Sequence, residues 1–295
     1  MPWIAELFSA GVVERIRTQA ADARAAAPVP YFAGVRSGET DALVRSFAGE
    51  SELHHPIRGR VKGRRAFERF VAETNAWLTA SNAVGGDVER IITPRRGVEE
   101  TVMTLDGHQG RVELPVAIVA DRDEDGRIME LRIYYSTWPL TGRHATRPPL
   151  LQPDPHLQEP DIVGEYQRAL AAGDVEAAVA AFESDGYVRE PAGGPYVHSG
   201  RDELVALYEL FFSNGGGIPL EHCTVTDDGR SCALEYNVVR WGRTELPPQA
   251  GLAVYVRGST GKLASARIYD DADPPLNSAV DEDVPARDGS LKPRP

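Results

Sequence analysis

The sequence predicts an α+β chain built from two tandem copies of one domain, and three observations predict it. First, similar residues recur at a fixed offset. Tyr31 and Tyr166, Gly38 and Gly173, Phe47 and Phe182, Leu53 and Val188, and Pro56 and Pro191 are each 135 positions apart. The offset becomes 137 at Gly63-Arg64 and Gly200-Arg201, and 132 between Gly110–Pro115 and Gly242–Pro247. It returns to 135 at Arg132-Ile133-Tyr134 and Arg267-Ile268-Tyr269. A register recovered after small loop insertions marks a duplicated domain, and so long a period means whole domains rather than a solenoid. Second, in each copy helical periodicity comes first and strand-like runs follow, the order of an α+β domain with an antiparallel sheet. Third, a proline-dense stretch without periodicity separates the copies.

Taken in order, residues 3–26 read as one helix, with Ile4, Leu7, Phe8, Val12, Ile16 and Ala20 at three- and four-residue spacings. Pro28 and Pro30 end it, so 1–27 is an extension outside the repeats. The first domain is expected over 28–138. It holds helices near 29–37 and 40–48, a short strand Glu52–His55 closed by Pro56, and a helix over 64–80. Strands Val88–Thr93, Val98–Leu105, Val112–Ala120 and Ile128–Thr137 follow, divided by Pro94–Gly97, Asp106-Gly107 and Asp123–Gly126. Residues 139–160 form a stiff spacer with Pro148, Pro149, Pro153, Pro155 and Pro160. The second domain is expected over 161–272. Its first helix ends at a Gly173 stop, and Asp174 is placed to cap the next. Residues 273–295 lack a core-forming pattern and read as a disordered acidic, proline-rich tail. In each copy the meander should curl into a cone whose concave side is covered by helices and whose open end is an apolar pocket. The two cones are expected to pack sheet to sheet as an internal pseudo-dimer, with a further homodimer left open.

Composition excludes several classes of function. A net charge of −12 argues against a nucleic-acid or anionic-membrane partner. No apolar run approaches the roughly 18 residues that span a bilayer. The opening Met1–Glu6 has an early acid and no basic stretch, unlike a secretory signal, so a cytoplasmic location is expected. The only two cysteines, Cys223 and Cys232, read as reduced buried thiols, although a disulfide between neighbouring strands is conceivable. No cofactor is expected, since no phosphate loop, nucleotide fingerprint or Ser-His-Asp order occurs, and Asn214–Gly217 reads as a flexible loop. No metal is expected either. His54 and His55 are adjacent on a strand and point to opposite faces, and His198 and His222 lack acid or Cys partners at ligand spacing.

The stretch Glu165–Asp174, followed by Glu190-Pro191, carries the chemistry. A phenol on a helix and a carboxylate at a strand end, over an apolar cavity, suit proton transfer on a small carbonyl compound. Tyr166-Gln167-Arg168-Ala169-Leu170-Ala171-Ala172-Gly173-Asp174, Val188-Arg189-Glu190-Pro191, Ser199-Gly200-Arg201 with the Tyr208 helix, and the ending Gly261-Lys262-Leu263 with Arg267-Ile268-Tyr269 together resemble one family. It is the ketosteroid isomerase and SnoaL-like polyketide cyclase branch of the NTF2-like cone folds. The resemblance covers roughly 159–270 well and 29–137 more loosely.

The resemblance implies that Glu190 is the base, that Tyr166 donates to the substrate oxygen as it becomes an enolate, and that Tyr208 supports Tyr166. It implies a cofactor-independent isomerase, cyclase or dehydratase of secondary metabolism acting on a small apolar carbonyl or polyketide-like compound. The alternative is a non-catalytic binding or assembly module, since a fold does not set a function. The isomerases add a protonated acid on the third meander strand; here that stretch is Ala250-Gly251-Leu252-Ala253, with no acid. In the first copy Tyr31 keeps the phenol, His55 replaces the carboxylate, Val71 stands for Tyr208 and Ala117 for the acid. His55 is a conceivable base, but this copy reads as a structural partner. Arg58, Arg60, Lys62, Arg64 and Arg65 read as a solvated basic cluster. Trp77, Trp241 and Phe212 read as core or domain interface, with Glu113 and Glu245 in reserve as cavity residues.

Overall fold

The structure is a computed structural model describing residues 31–107 and 110–275. The expected helix over 3–26 and the tail beyond 276 lie outside the described residues. Domain 1 runs α1 (Tyr31–Ser37), α2 (Thr40–Arg45), β1 (Glu52–His55), β2 (Gly59–Lys62), α3 (Arg64–Ala80), β3 (Val84–Ile92), β4 (Arg96–Gly107), β5 (Gly110–Arg122) and β6 (Ile128–Tyr134). A short helix α4 (Trp138–Thr141) opens the connection. Domain 2 runs α5 (Asp161–Ala172), α6 (Val175–Ala180), β7 (Phe182–Arg189), β8 (Val197–Ser199), α7 (Gly200–Phe211), β9 (Leu220–Asp227), β10 (Ser231–Trp241), β11 (Thr244–Arg257) and β12 (Leu263–Tyr269). The local signals act as expected at the start of domain 2. Gly173 ends α5 at φ 72°, a left-handed conformation that costs a residue without Cβ nothing. Asp174 then caps α6, its carboxylate accepting from the Ala177 N–H at 3.0 Å.

The two sheets have the same order, β2-β1-β6-β5-β4-β3 and β8-β7-β12-β11-β10-β9. The expectation of antiparallel sheets needs one correction. β1 pairs with β6, and β7 with β12, in parallel, so both sheets are mixed. The long meander returns its last strand beside the first, and that strand arrives pointing the same way. β2 and β8, which form one edge of each sheet, are additions to the expected strands.

Strand alternation divides the buried residues. Val116, Ile118, Ala120, Leu131, Ile133 and Tyr135 face the helices of domain 1. Their neighbours Ala117, Val119 and Tyr134 face the other way and form one cluster with Ala250, Leu252, Val254 and Tyr269 of domain 2. The two domains therefore pack sheet to sheet, as expected of the pseudo-dimer.

Charges are buried in that interface in a reciprocal arrangement. Arg132 donates to Glu235 at 2.6 and 2.9 Å, and Arg267 donates to Glu100 at 2.9 and 2.6 Å. Tyr134 donates to Glu235 at 2.8 Å and Tyr269 to Glu100 at 2.5 Å. Each triad repeats the other at the 135-residue offset. Burial works against both arginines, but their paired carboxylates hold them charged.

The connection between domains is more than a spacer. Arg147 is buried, stacks 5.0 Å from the Tyr134 ring and donates to the carbonyls of Ile133 and His54. Leu151 O accepts from Asn237, and the Asp154 N–H donates to His222 O. Cys223 and Cys232 are both free and buried. Among the described residues no helix is long and apolar enough to cross a membrane.

Removing one partner of a buried pair leaves an uncompensated charge, a loss of about 3–5 kcal/mol. Glu100→Ala should therefore lower unfolding stability by that amount. Glu100→Leu combined with Arg267→Met should recover most of it. Urea titrations of the three proteins check this, and a double variant no more stable than Glu100→Ala would refute it.

Candidate functional site

Domain 2 encloses a cavity of about 100 Å³ between its helices and the concave side of its sheet. α5 contributes Tyr166 and α7 contributes Tyr208, because both tyrosines sit on the apolar stripes of their helices. Tyr208 is 1% exposed and Tyr166 3%. The Tyr208 hydroxyl donates to the Tyr166 oxygen at 2.9 Å. That direction leaves the Tyr166 proton available to a second acceptor. Burial pushes the Tyr166 phenol up to about 12, against the pull of the Tyr208 hydrogen bond. It stays a neutral donor across the physiological range.

Glu190 follows the end of β7 and lines the same cavity. Its Oε1 lies 2.7 Å from Nε2 of His198 on β8. Register explains the meeting: Arg189 pairs with Val197 and Val188 with His198, so the chain just past β7 runs beside β8. Tyr166, Tyr208 and Glu190 are therefore brought together. His198 is a partner that sequence spacing alone had set aside.

An acid that the stretch 250–253 lacks reaches the cavity from past the end of β12. Asp270 follows the end of β12, lines the cavity and accepts from the Tyr236 hydroxyl at 2.7 Å and the Ala272 N–H at 3.2 Å. Burial raises its carboxyl above the usual carboxylate range, outweighing those hydrogen bonds. Gly251 makes the contact possible: a Cβ there would lie 2.4 Å from the Tyr236 ring and 2.9 Å from Asp270 Cβ. The stretch 250–253 lacks an acid but leaves room for one. A sequence reader meets Asp270 as the first of a run of acids before prolines, which hides it.

Domain 1 holds the larger cavity, about 520 Å³, walled by Phe32, Phe70, Met103, Leu114, Val116 and Ile133 among others. Ile57 and Trp77, 60% and 41% exposed, belong to its wall, so Trp77 is not the core or interface residue expected. Tyr31 reaches this wall with a buried hydroxyl that has no hydrogen-bond partner among the described residues, and burial raises its pKa. His55 also lines it. Its Nδ1 accepts from the N–H groups of Ile57 and Arg58 at 3.2 and 3.1 Å, so Nε2 carries the proton, 3.3 Å from the Tyr135 hydroxyl. Burial, with Arg147 and Arg58 nearby, lowers its pKa to about 4. His55 is neutral, and its one lone pair is occupied by backbone donors. That arrangement orients a ring and does not suit a proton acceptor.

The remaining expectations divide. Glu113 and Glu245 are exposed and line neither cavity. The basic cluster is engaged by acids: Arg58 with Glu73, Arg60 and Lys62 with Glu52, and Arg64 with Asp41 and Glu68. Phe212 and Trp241 are buried around Tyr208 and the cavity wall. Glu52, His54 and Glu130 come close enough to share an ion, but Glu52 faces Arg60 and Lys62 and Glu130 faces Arg132.

His55 makes a checkable contribution to stability. It is neutral when folded, whereas in the unfolded chain it takes up a proton below about 6.5. Stability is thus undiminished above pH 6.5 and falls as pH drops towards 4, by roughly 3 kcal/mol at about 1.4 kcal/mol per unit. Urea midpoints of wild type and His55→Gln across this window should diverge, the variant showing the flatter dependence.

Comparison with known proteins follows the same outline. The sequence profile of the SnoaL-like domain matches residues 163–265. Comparison with curated proteins finds no match. Similar solved structures include an uncharacterized cystatin-fold protein from Novosphingobium aromaticivorans, at 17% identity and TM-score 0.32, covering 36% of this chain and 93% of that one. Another is a hypothetical protein with a ketosteroid isomerase-like fold from Catenulispora acidiphila, in complex with trimethylamine. It is 15% identical at TM-score 0.34, covering 40% of this chain and 90% of that one. A third is SalBIII, an epoxide hydrolase/cyclase-like enzyme of pyran ring formation in the polyether salinomycin. It is 15% identical at TM-score 0.30, covering 43% and 95%. The chain is two tandem cone-like α+β domains, the second of which matches the SnoaL-like domain over residues 163–265.

Proposed function

We propose that domain 2 is a cofactor-independent acid/base enzyme of the isomerase, cyclase or dehydratase type, acting on a small apolar carbonyl compound. The observation that carries this reading is the convergence of Tyr166, Glu190 and Asp270 on one apolar cavity. Glu190 takes a proton from the carbon beside the carbonyl. The Tyr166 hydroxyl donates to the carbonyl oxygen as negative charge gathers there, and the Tyr208 hydrogen bond makes it a stronger donor. Asp270, whose raised pKa favours a protonated carboxyl, supplies a second donor of the kind that stabilises an enolate. The cavity is smaller than the roughly 300 Å³ of a drug-sized site, which favours a substrate of one small ring or a short chain. The match of the SnoaL-like profile to this half supports the same reading.

A second reading, a non-catalytic small-molecule carrier, is favoured by domain 1. Its cavity is the larger and mostly apolar, and its histidine is neutral and committed to the backbone.

The direct test is 3-cyclohexen-1-one, a small ketone whose double-bond shift needs one base and one oxyanion donor. Conversion followed by ultraviolet absorbance should exceed the buffer rate. Tyr166→Phe should reduce it about 10²–10³-fold and Glu190→Gln about 10²–10⁴-fold, with melting temperatures preserved. Equal rates in wild type and Glu190→Gln would remove Glu190 as the base.

A further inference from the structure

His144 lies in the proline-rich connection between the domains, yet it lines the domain 2 cavity beside Tyr166, Glu190 and Asp270. Its ring is stacked on Trp138, centroids 4.9 Å apart and planes 20° from parallel. Nδ1 is 2.9 Å from Oδ1 of Asp271. Asp271 also accepts from Ser136 Oγ at 2.6 Å, from the Thr137 N–H and hydroxyl at 3.0 and 2.7 Å, and from the Ala145 N–H at 2.8 Å. Burial works to raise this carboxyl, but the hydrogen bonds overcome it and hold Asp271 ionised. An ionised acceptor requires the proton on Nδ1. The other nitrogen, Nε2, is buried and has no hydrogen-bond partner among the described residues. Leaving such a group unmatched costs about 1–3 kcal/mol, and a catalytic role is one of the reasons a native structure bears that cost. A histidine tautomer set by a carboxylate, in a ring that lines a cavity, is the arrangement of a working acid/base.

We propose that His144, positioned by Asp271, is a second acid/base of the domain 2 cavity, and that the substrates are β-hydroxy carbonyl compounds undergoing loss or addition of water. This rests on the acid/base reading of domain 2. In the dehydration direction Glu190 removes the α-proton and the C–H electron pair becomes the enolate held by Tyr166. That pair then forms the C=C bond as the β C–O bond breaks. The leaving oxygen takes the Nε2 proton of the His144 imidazolium and departs as water. Glu190 ends protonated and His144 neutral, and proton exchange with solvent resets both. No oxidant or cofactor is needed. The charged or titratable groups around the ring are Asp270, Asp271 and Asp273, with Glu190, Tyr166, Tyr208 and Tyr236 across the cavity. Burial lowers the His144 pKa, but the Asp271 hydrogen bond and these acids raise it overall.

The test uses the full chain with 3-hydroxycyclohexanone, whose dehydration gives an absorbing enone, alongside 3-cyclohexen-1-one. Dehydration should be accelerated by wild type and should fall about 10²–10⁴-fold in kcat in His144→Gln. In wild type it should decline as pH rises through the raised pKa of His144, above the ordinary histidine value, a limb absent from the variant. Histidine ¹⁵N spectra at alkaline pH should show His144 protonated on Nδ1 and bare on Nε2, assigned by the signal lost in His144→Gln. Unchanged dehydration in His144→Gln, or a proton found on Nε2, overturns the role of His144 while the isomerisation result leaves Glu190 and Tyr166 standing. No turnover of either ketone by wild type overturns both readings.

Discussion

The two reciprocal Arg–Glu–Tyr triads in the sheet interface constrain everything built around them. Glu100 on β4 aligns with Ala117 on β5, and Ala117 with Tyr134 on β6. Glu235 on β10 aligns with Leu252 on β11, and Leu252 with Tyr269 on β12. Each triad thus draws on two rows of residues that cross the sheets at right angles to the strands. A slip of one residue in β4, β6, β10 or β12 would turn a charged side chain into a cone and leave its partner unpaired in the interface. The cost of an unpaired buried charge is several kcal/mol, comparable to the stability of a whole domain. The pairs therefore do more to set register than to add stability.

That register decides which residues reach the cavities. With Tyr134 and Tyr269 turned to the interface, the next residues, Tyr135 and Asp270, turn inward. In domain 1 this inward position holds a phenol 3.3 Å from His55, and in domain 2 a buried carboxyl 2.7 Å from Tyr236. One backbone plan thus yields two different interiors. Domain 1 has a roomy apolar space with a neutral histidine, and domain 2 has a tight space with carboxylates and paired phenols.

The connection between domains gains its importance from the same geometry. Arg147 covers Tyr134 while Arg189 covers Tyr269 at 5.1 Å, so one cation comes from the connection and the other from a strand. The segment 135–147 is pinned at one end by Arg147 and at the other by the Ser136 and Thr137 bonds to Asp271. A stretch held at both ends presents His144 at a fixed place, which proline content alone could not announce.

The sequence by itself determined the duplication, the order of helices and strands apart from β2 and β8, the caps at Gly173 and Asp174, and the Tyr166–Tyr208–Glu190 set. The first three depend on local signals or on spacings that one copy checks against the other; the site set came from the family resemblance, since the first copy has His55 and Val71 in place of Glu190 and Tyr208. The tertiary structure alone decided the parallel pairing of β1 with β6, the unequal cavities, the loss of the His55 lone pair to the backbone, and the arrival of Asp270, His198 and His144 at one site. Each of these joins residues that carry no mutual pattern along the chain. Asp270 reads as the start of an acidic tail and His144 as part of a linker until strand register and buried hydrogen bonds place them. Their chemistry follows from which surfaces are sealed together, and a linear pattern does not encode that.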